Sequence, residues 1–163
     1  MTVDYSFIIN HSSIMINKIN TLLEKYPNNY ILLDLLEMSK SCQKAEHEFK
    51  ELSDKGYEVK IKNGTFDLYY TKANNELFTF PEIMALNTNI TLKSTAFSIE
   101  FYTDSINKSK SETNDEINML KAEVMRYVRA VDLIVHLFID NTPDLENTNV
   151  GVNMNWVSKY FDE

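Results

Sequence analysis

The stretch ILLDLLEMSKSCQKAEHEFKEL, residues 31–52, decides the fold class. Within it Ile31, Leu35, Met38, Cys42, Ala45, Phe49 and Leu52 recur in steps of four and three, with charged residues between them. That spacing holds apolar side chains on one face of a helix for three heptads. Gly56 follows, and glycine commonly closes a helix because it takes a left-handed backbone without a Cβ clash. Cys42 lies on the apolar stripe and reads as a buried core thiol.

A second stripe matches the first. Ile117, Leu120, Val124, Tyr127, Val131, Ile134 and Phe138 step by three and four without a break, up to Asp140-Asn141-Thr142-Pro143. Thr113-x-x-Glu116 reads as the capping box that opens this helix. Two long amphipathic helices of this kind imply a helical hairpin or bundle, or else a homodimer joined through a heptad seam. A further helix is expected from about Ser12 to Tyr26, on Met15, Ile19, Leu22 and Leu23, stopped by Pro27.

Between the two stripes, Tyr57, Val59 and Ile61 alternate with charged residues, as do Phe66, Leu68 and Tyr70. Asn63-Gly64 separates the runs. Both central residues of a tight hairpin turn need positive φ, so this pair signals a β-hairpin. Pro81 fits the first turn of a short helix carrying Ile83, Met84 and Leu86. Residues 88–106 fit two periods. Phe97, Ile99 and Phe101 alternate like a strand, while Leu92, Ala96, Ile99 and Ile106 fit a helix, the reading preferred here. The expected fold is mainly α with one β-hairpin, a single domain over 1–163. Residues 142–163 are expected to be a partly flexible tail ending in a short aromatic helix.

The totals exclude several classes. With three Gly and three Pro in 163 residues, a fold needing many tight turns is disfavoured. No glycines cluster, so no phosphate-cradling loop is present. One cysteine permits no internal disulfide and no Cys-based zinc site. No cofactor or metal is expected. Met-Thr-Val-Asp opens the chain without a basic segment before an apolar run, and Leu133–Ile139 is too short to span a bilayer. A cytoplasmic location away from membranes is the expectation. Abundant asparagine and a preference for lysine over arginine suit an AT-rich genome, such as that of a low-GC bacterium or its phage.

Of the net charge of −8, residues from Thr65 onward carry −7, as fifteen acids against eight bases. Such a surface repels phosphate backbones, which disfavours direct nucleic-acid binding. It suits a partner protein with a basic groove, as an inhibitor or regulator of a nucleic-acid-handling machine would need. The expected contacts are Asp132, Asp140, Asp144 and Glu146, with Trp156, Tyr160 and Phe161 either an aromatic anchor for the partner or folded back to close the chain's own core.

One constellation invites a different reading. Arg129, Asp132, His136 and Asp140 are spaced three, four and four apart, on one face of the last long helix. A histidine between two carboxylates can be oriented for proton transfer, can join a hard-metal site, or can be one partner in intrahelical ion pairs on a solvated face. Arg129-x6-His136 resembles the Arg-x4–6-His motif of HEPN domains, all-helical bundles that include metal-independent ribonucleases acting as dimers. The resemblance covers this helix alone. It implies that His136 transfers a proton and that Arg129 stabilises a phosphate in the transition state. His47, between Glu46 and Glu48, reads as part of a charged helix face, and His11 as a surface residue near a helix start.

Overall fold

A computed structural model describes residues 11–55, 57–62, 65–70, 85–109, 112–140 and 150–153. The chain is mainly helical, with α1 (His11–Lys25), α2 (Tyr30–Asp54), α3 (Ile90–Lys108) and α4 (Asp115–Ile139). Helix α2 touches each of the other three, and α4 also packs on α1 and α3. Cross-helix bonds set the directions. Along α2 and α3, Glu48 pairs with Asn89 (2.7 Å), Ser41 with Ser98 (2.7 Å) and Asp34 with Ser105 (2.8 Å). The numbers run oppositely, so the two helices are antiparallel. Lys18–Glu123 (2.6 Å) and Lys25–Glu116 (3.5 Å) set α1 against α4 in the same way.

The two long stripes are internal. Ile31, Leu35, Met38, Cys42, Ala45, Phe49 and Leu52 face Ile117, Val124, Val131, Ile134 and Phe138 within one core, each at 4% exposure or less. Both stripes are therefore consumed inside the chain, as in a helical bundle, and are not available for the alternative of a homodimer seam. Of residues 88–106, those from Ile90 onward belong to α3, with Leu92, Thr95, Ile99 and Ile106 inward.

Capping residues set where the helices start. Asn29 and Asn89 each accept a backbone N–H three residues on, from Leu32 (3.1 Å) and Leu92 (3.0 Å). The start of α4 departs from the expected capping box at Thr113. Asn114 is the cap, accepting from the N–H groups of Glu116 (2.9 Å) and Ile117 (3.2 Å). Its short amide side chain reaches both orphan donors, and Glu112 accepts the Asn114 N–H (3.1 Å). Asn29 also donates to Glu112 (2.9 Å), tying the start of α2 to that of α4. Asn29→Ala should lower stability by about 1 kcal/mol or somewhat more, since it removes a cap and a tertiary bond together. The urea midpoint measures this.

Backbone pairing joins β1 (Tyr57–Lys62) to β2 (Thr65–Tyr70) antiparallel, from Tyr57 opposite Tyr70 to Lys62 opposite Thr65. β3 (Val150–Asn153) pairs antiparallel with β2, giving the order β1-β2-β3. The sequence reading placed no strand at 150–153, where four residues are too few to show a period. Gly56, the Asn63-Gly64 turn and residues 81–84 lie outside the described residues. Among the described residues, no helix is long and apolar enough to cross a membrane.

Candidate functional site

Helix α4 carries Asp132, His136 and Asp140 on one face, as their spacing requires. His136 Nε2 lies 3.2 Å from Asp132 Oδ1, and Nδ1 bonds Asp140 Oδ2. The bond to Asp132 is the largest cause that raises the imidazole pKa to about 9, followed by the opposing effect of partial burial and the bond to Asp140. At neutral pH the ring is therefore an imidazolium donating to a carboxylate from each nitrogen. Such a ring has no lone pair with which to accept a proton or bind a metal. Arg129 is exposed two turns before His136 and lines the same groove, but Asp132 turns to the histidine and not to Arg129. Arg129 and Asp132, three apart on this face, therefore form no ion pair with each other, while the two histidine pairs are made.

That groove, about 480 Å³, runs between α4 and α3. Its α3 wall contributes Phe97, Glu100 and Asp104. The carboxylates of Glu100, Asp104 and Asp132 stand against the cations of Arg129 and His136, so the charge is dense but nearly balanced. Among the described residues, no group of three or more His, Cys, Asp or Glu is arranged to hold a metal ion.

The outer edge of α3 is apolar. Ile90 is 82% exposed, Phe97 72% and Phe101 58%. The rings of Phe97 and Phe101 stack with centroids 6.5 Å apart, and Tyr102 sets its edge on Phe101 at 5.1 Å. They form a ridge. On its far side lies a second groove of about 590 Å³, lined by Ser41, Lys44, Ser94, Ser98 and Tyr102 among others. The sequence held a trace of this ridge. The strand-like alternation of Phe97, Ile99 and Phe101 arises because two of the three are apolar residues off the buried face.

A polar cluster inside the core was not read from the sequence. Glu46, assigned above to a charged surface, is 2% exposed. Its Oε1 accepts from the Ser12 N–H (3.1 Å) and from the Tyr127 hydroxyl, and its Oε2 bonds the Ser12 hydroxyl. Burial raises the Glu46 pKa to about 7, against the lowering effect of these bonds. Burial also pushes Tyr127 well up, aided by Cys42 and Glu46. The Cys42 thiol, one turn before Glu46, is fully buried and raised by the same desolvation. His11 is not simply a surface residue. Its ring lies 5.2 Å from that of Tyr127, and partial burial lowers its pKa.

Of the residues expected to meet a partner, Asp132 and Asp140 are engaged with His136. Asp144, Glu146, Trp156, Tyr160 and Phe161 lie outside the described residues. Comparison with known proteins finds no matching family model, no matching curated protein and no matching solved structure.

Proposed function

We propose that this chain is a non-enzymatic binding protein that engages another protein, with the α3 ridge as its apolar contact. The observation that carries this is the stacked, exposed pair Phe97 and Phe101, standing between two grooves. Leaving such rings exposed to solvent has no benefit to the isolated chain, whereas aromatic anchors dominate the energetics of protein interfaces. The net charge of −8 favours a basic partner, such as the phosphate-binding groove of a nucleic-acid-handling machine, where an inhibitor or regulator would sit.

The ribonuclease suggested by Arg129 and His136 is the weaker reading. Its histidine would have to shed one carboxylate and lose a proton before acting as a base, against a pKa of about 9. The carboxylates beside it would also oppose an RNA phosphate.

The test compares wild type with the double variant Phe97→Ser/Phe101→Ser as bait in affinity capture from the native host. Both should melt at the same temperature, because neither ring is buried. A protein retained by wild type should be lost by the variant, with affinity down at least about tenfold for each ring. Association should also slow steeply with salt. Equal capture by both baits would reject the ridge. RNA cleavage that disappears in His136→Ala and Arg129→Ala would establish the enzyme instead.

A further inference from the structure

Among the described residues, Glu46 is the one ionisable acid or base held below a tenth exposed in the core apart from Cys42 and Tyr127, and no described cation pairs with it. The groups that face it among the described residues can be named. From its own helix comes the Cys42 thiol, from α1 come Ser12 and His11, and from α4 comes Tyr127, with the His11 ring against the Tyr127 ring. Glu123 and Lys18 act on His11 with opposite signs, and Asp132 acts on Cys42.

The bonds at Glu46 favour one place for a proton. Oε1 faces two donors, the Ser12 amide and the Tyr127 phenol. The amide cannot accept, so a proton on Oε1 would meet a donor. Oε2 faces only the Ser12 hydroxyl, which can reverse from donor to acceptor. A neutral carboxyl protonated at Oε2 therefore keeps all three bonds, and it removes a buried charge that no cation balances.

We propose that the junction of α1, α2 and α4 is a proton-loaded latch, in which the neutral carboxyl of Glu46 fastens the start of α1 and ionisation of Glu46 loosens it. Helix α1 is the shortest of the four, and both ends of its docking contact to Glu46 are at its first turn, through Ser12 N and Oγ. Undocking α1 would open the carboxylate to water while α2, α3 and α4 keep their mutual packing. This device is independent of the α3 ridge.

The direction with pH follows from the linkage between docking and protonation. The docked pKa, about 7, lies above the value of 4.5 for a solvated glutamate. Docking is then strongest below pH 4.5, weakens by about tenfold per pH unit up to about 7, and is level above that.

Hydrogen exchange of the full 163-residue chain, corrected for the intrinsic pH dependence of exchange, tests this. Protection of the Met15–Leu22 amides should fall about fortyfold between pH 5 and 7 and then level off. Those amides should open with less urea dependence than amides at the centre of α2, as expected for a local event. Glu46→Gln should abolish this fall in protection, because its amide reproduces the neutral carboxyl, and should leave only the opposite slope of His11, whose pKa is lowered by burial in the docked state. Tyr127→Phe, which removes one donor to the carboxylate, should move the levelling point to higher pH. In the wild type, the side-chain carbon resonance of Glu46 should titrate near pH 7. Protection independent of pH would overturn the latch, as would a Glu46 midpoint in the ordinary carboxylate range. Exchange of α1 at the same rate and urea dependence as α2 at every pH would show that α1 opens only with the whole fold, and would overturn it equally.

Discussion

Phe49→Ala should lower the unfolding free energy by about 3–5 kcal/mol, the loss expected when a buried aromatic ring is cut to a methyl group. Phe49 and Phe138 are each 1% exposed, and their rings stack with centroids 5.9 Å apart. They join the C-terminal turns of α2 and α4, so the cavity would open where the two long helices meet. Backbone on both sides is held by regular helix, which limits collapse into the void and keeps the cost high. A domain of this size is commonly stable by only about 5–15 kcal/mol, so the variant would sit close to unfolding at ambient temperature. Urea denaturation reads the effect as a lower midpoint at nearly constant slope. Phe97→Ala is the matched control. It removes the same ring from a site 72% exposed and should change stability by no more than about 0.5 kcal/mol. A loss at Phe49 below about 1 kcal/mol would mean that this part of the core is not packed as described.

The contrast between these two phenylalanines also marks what a sequence can and cannot convey. Phe49 lies on a stripe sustained for three heptads, and a period that long has one physical solution, a helix with that face buried. Residues 31–52 and 117–138 were legible for this reason, as was the burial of Cys42. Phe97 and Phe101 break the period of their helix. Their hydrophobicity argued for burial and thereby for a strand, whereas they stand outside, and no local pattern distinguishes a misplaced core residue from an exposed anchor. Glu46 shows the converse failure. It follows Ala45 on the flank of the stripe, three residues before Phe49, and beside Glu48 it looked like one more solvated acid. Its burial depends on Ser12 and Tyr127, 34 and 81 residues away, which supply the donors that make burial tolerable. Such partnerships are created by the tertiary fold. The His136 face is an intermediate case. Spacing alone placed both aspartates beside the ring, but only the geometry shows that each nitrogen is occupied.

The buried carboxyl leads to an expected gain of stability from a single substitution. At pH 8 Glu46→Gln should be more stable than wild type, by up to about 3 kcal/mol, and the advantage should vanish by pH 4.5. In the wild type the folded pKa of Glu46 is about 7 against 4.5 when solvated, so the folded state binds the proton more tightly. The stability this confers is complete below 4.5 and is lost as pH rises toward 7, where the buried group finally ionises. Glutamine does not ionise. Its carbonyl oxygen can take the place of Oε1, accepting from Ser12 N and the Tyr127 hydroxyl, and its amide can donate to Ser12 Oγ in place of the protonated Oε2. The variant thus retains every bond of the neutral acid at all pH values. His136 contributes a slope of its own, because a pKa raised to about 9 gives stability that is full below 6.5 and lost as pH rises through 9. That slope is common to both proteins and cancels in their difference at any one pH. Glu46→Ala is the necessary contrast. It strands the Ser12 amide and the Tyr127 hydroxyl without an acceptor and leaves a void, so it should destabilise at every pH, by about 2–5 kcal/mol. Paired urea titrations at pH 4.5 and pH 8 decide the matter. If Glu46→Gln is less stable than wild type at pH 8, the carboxylate is the form the core prefers, and the three donors around it outweigh its burial.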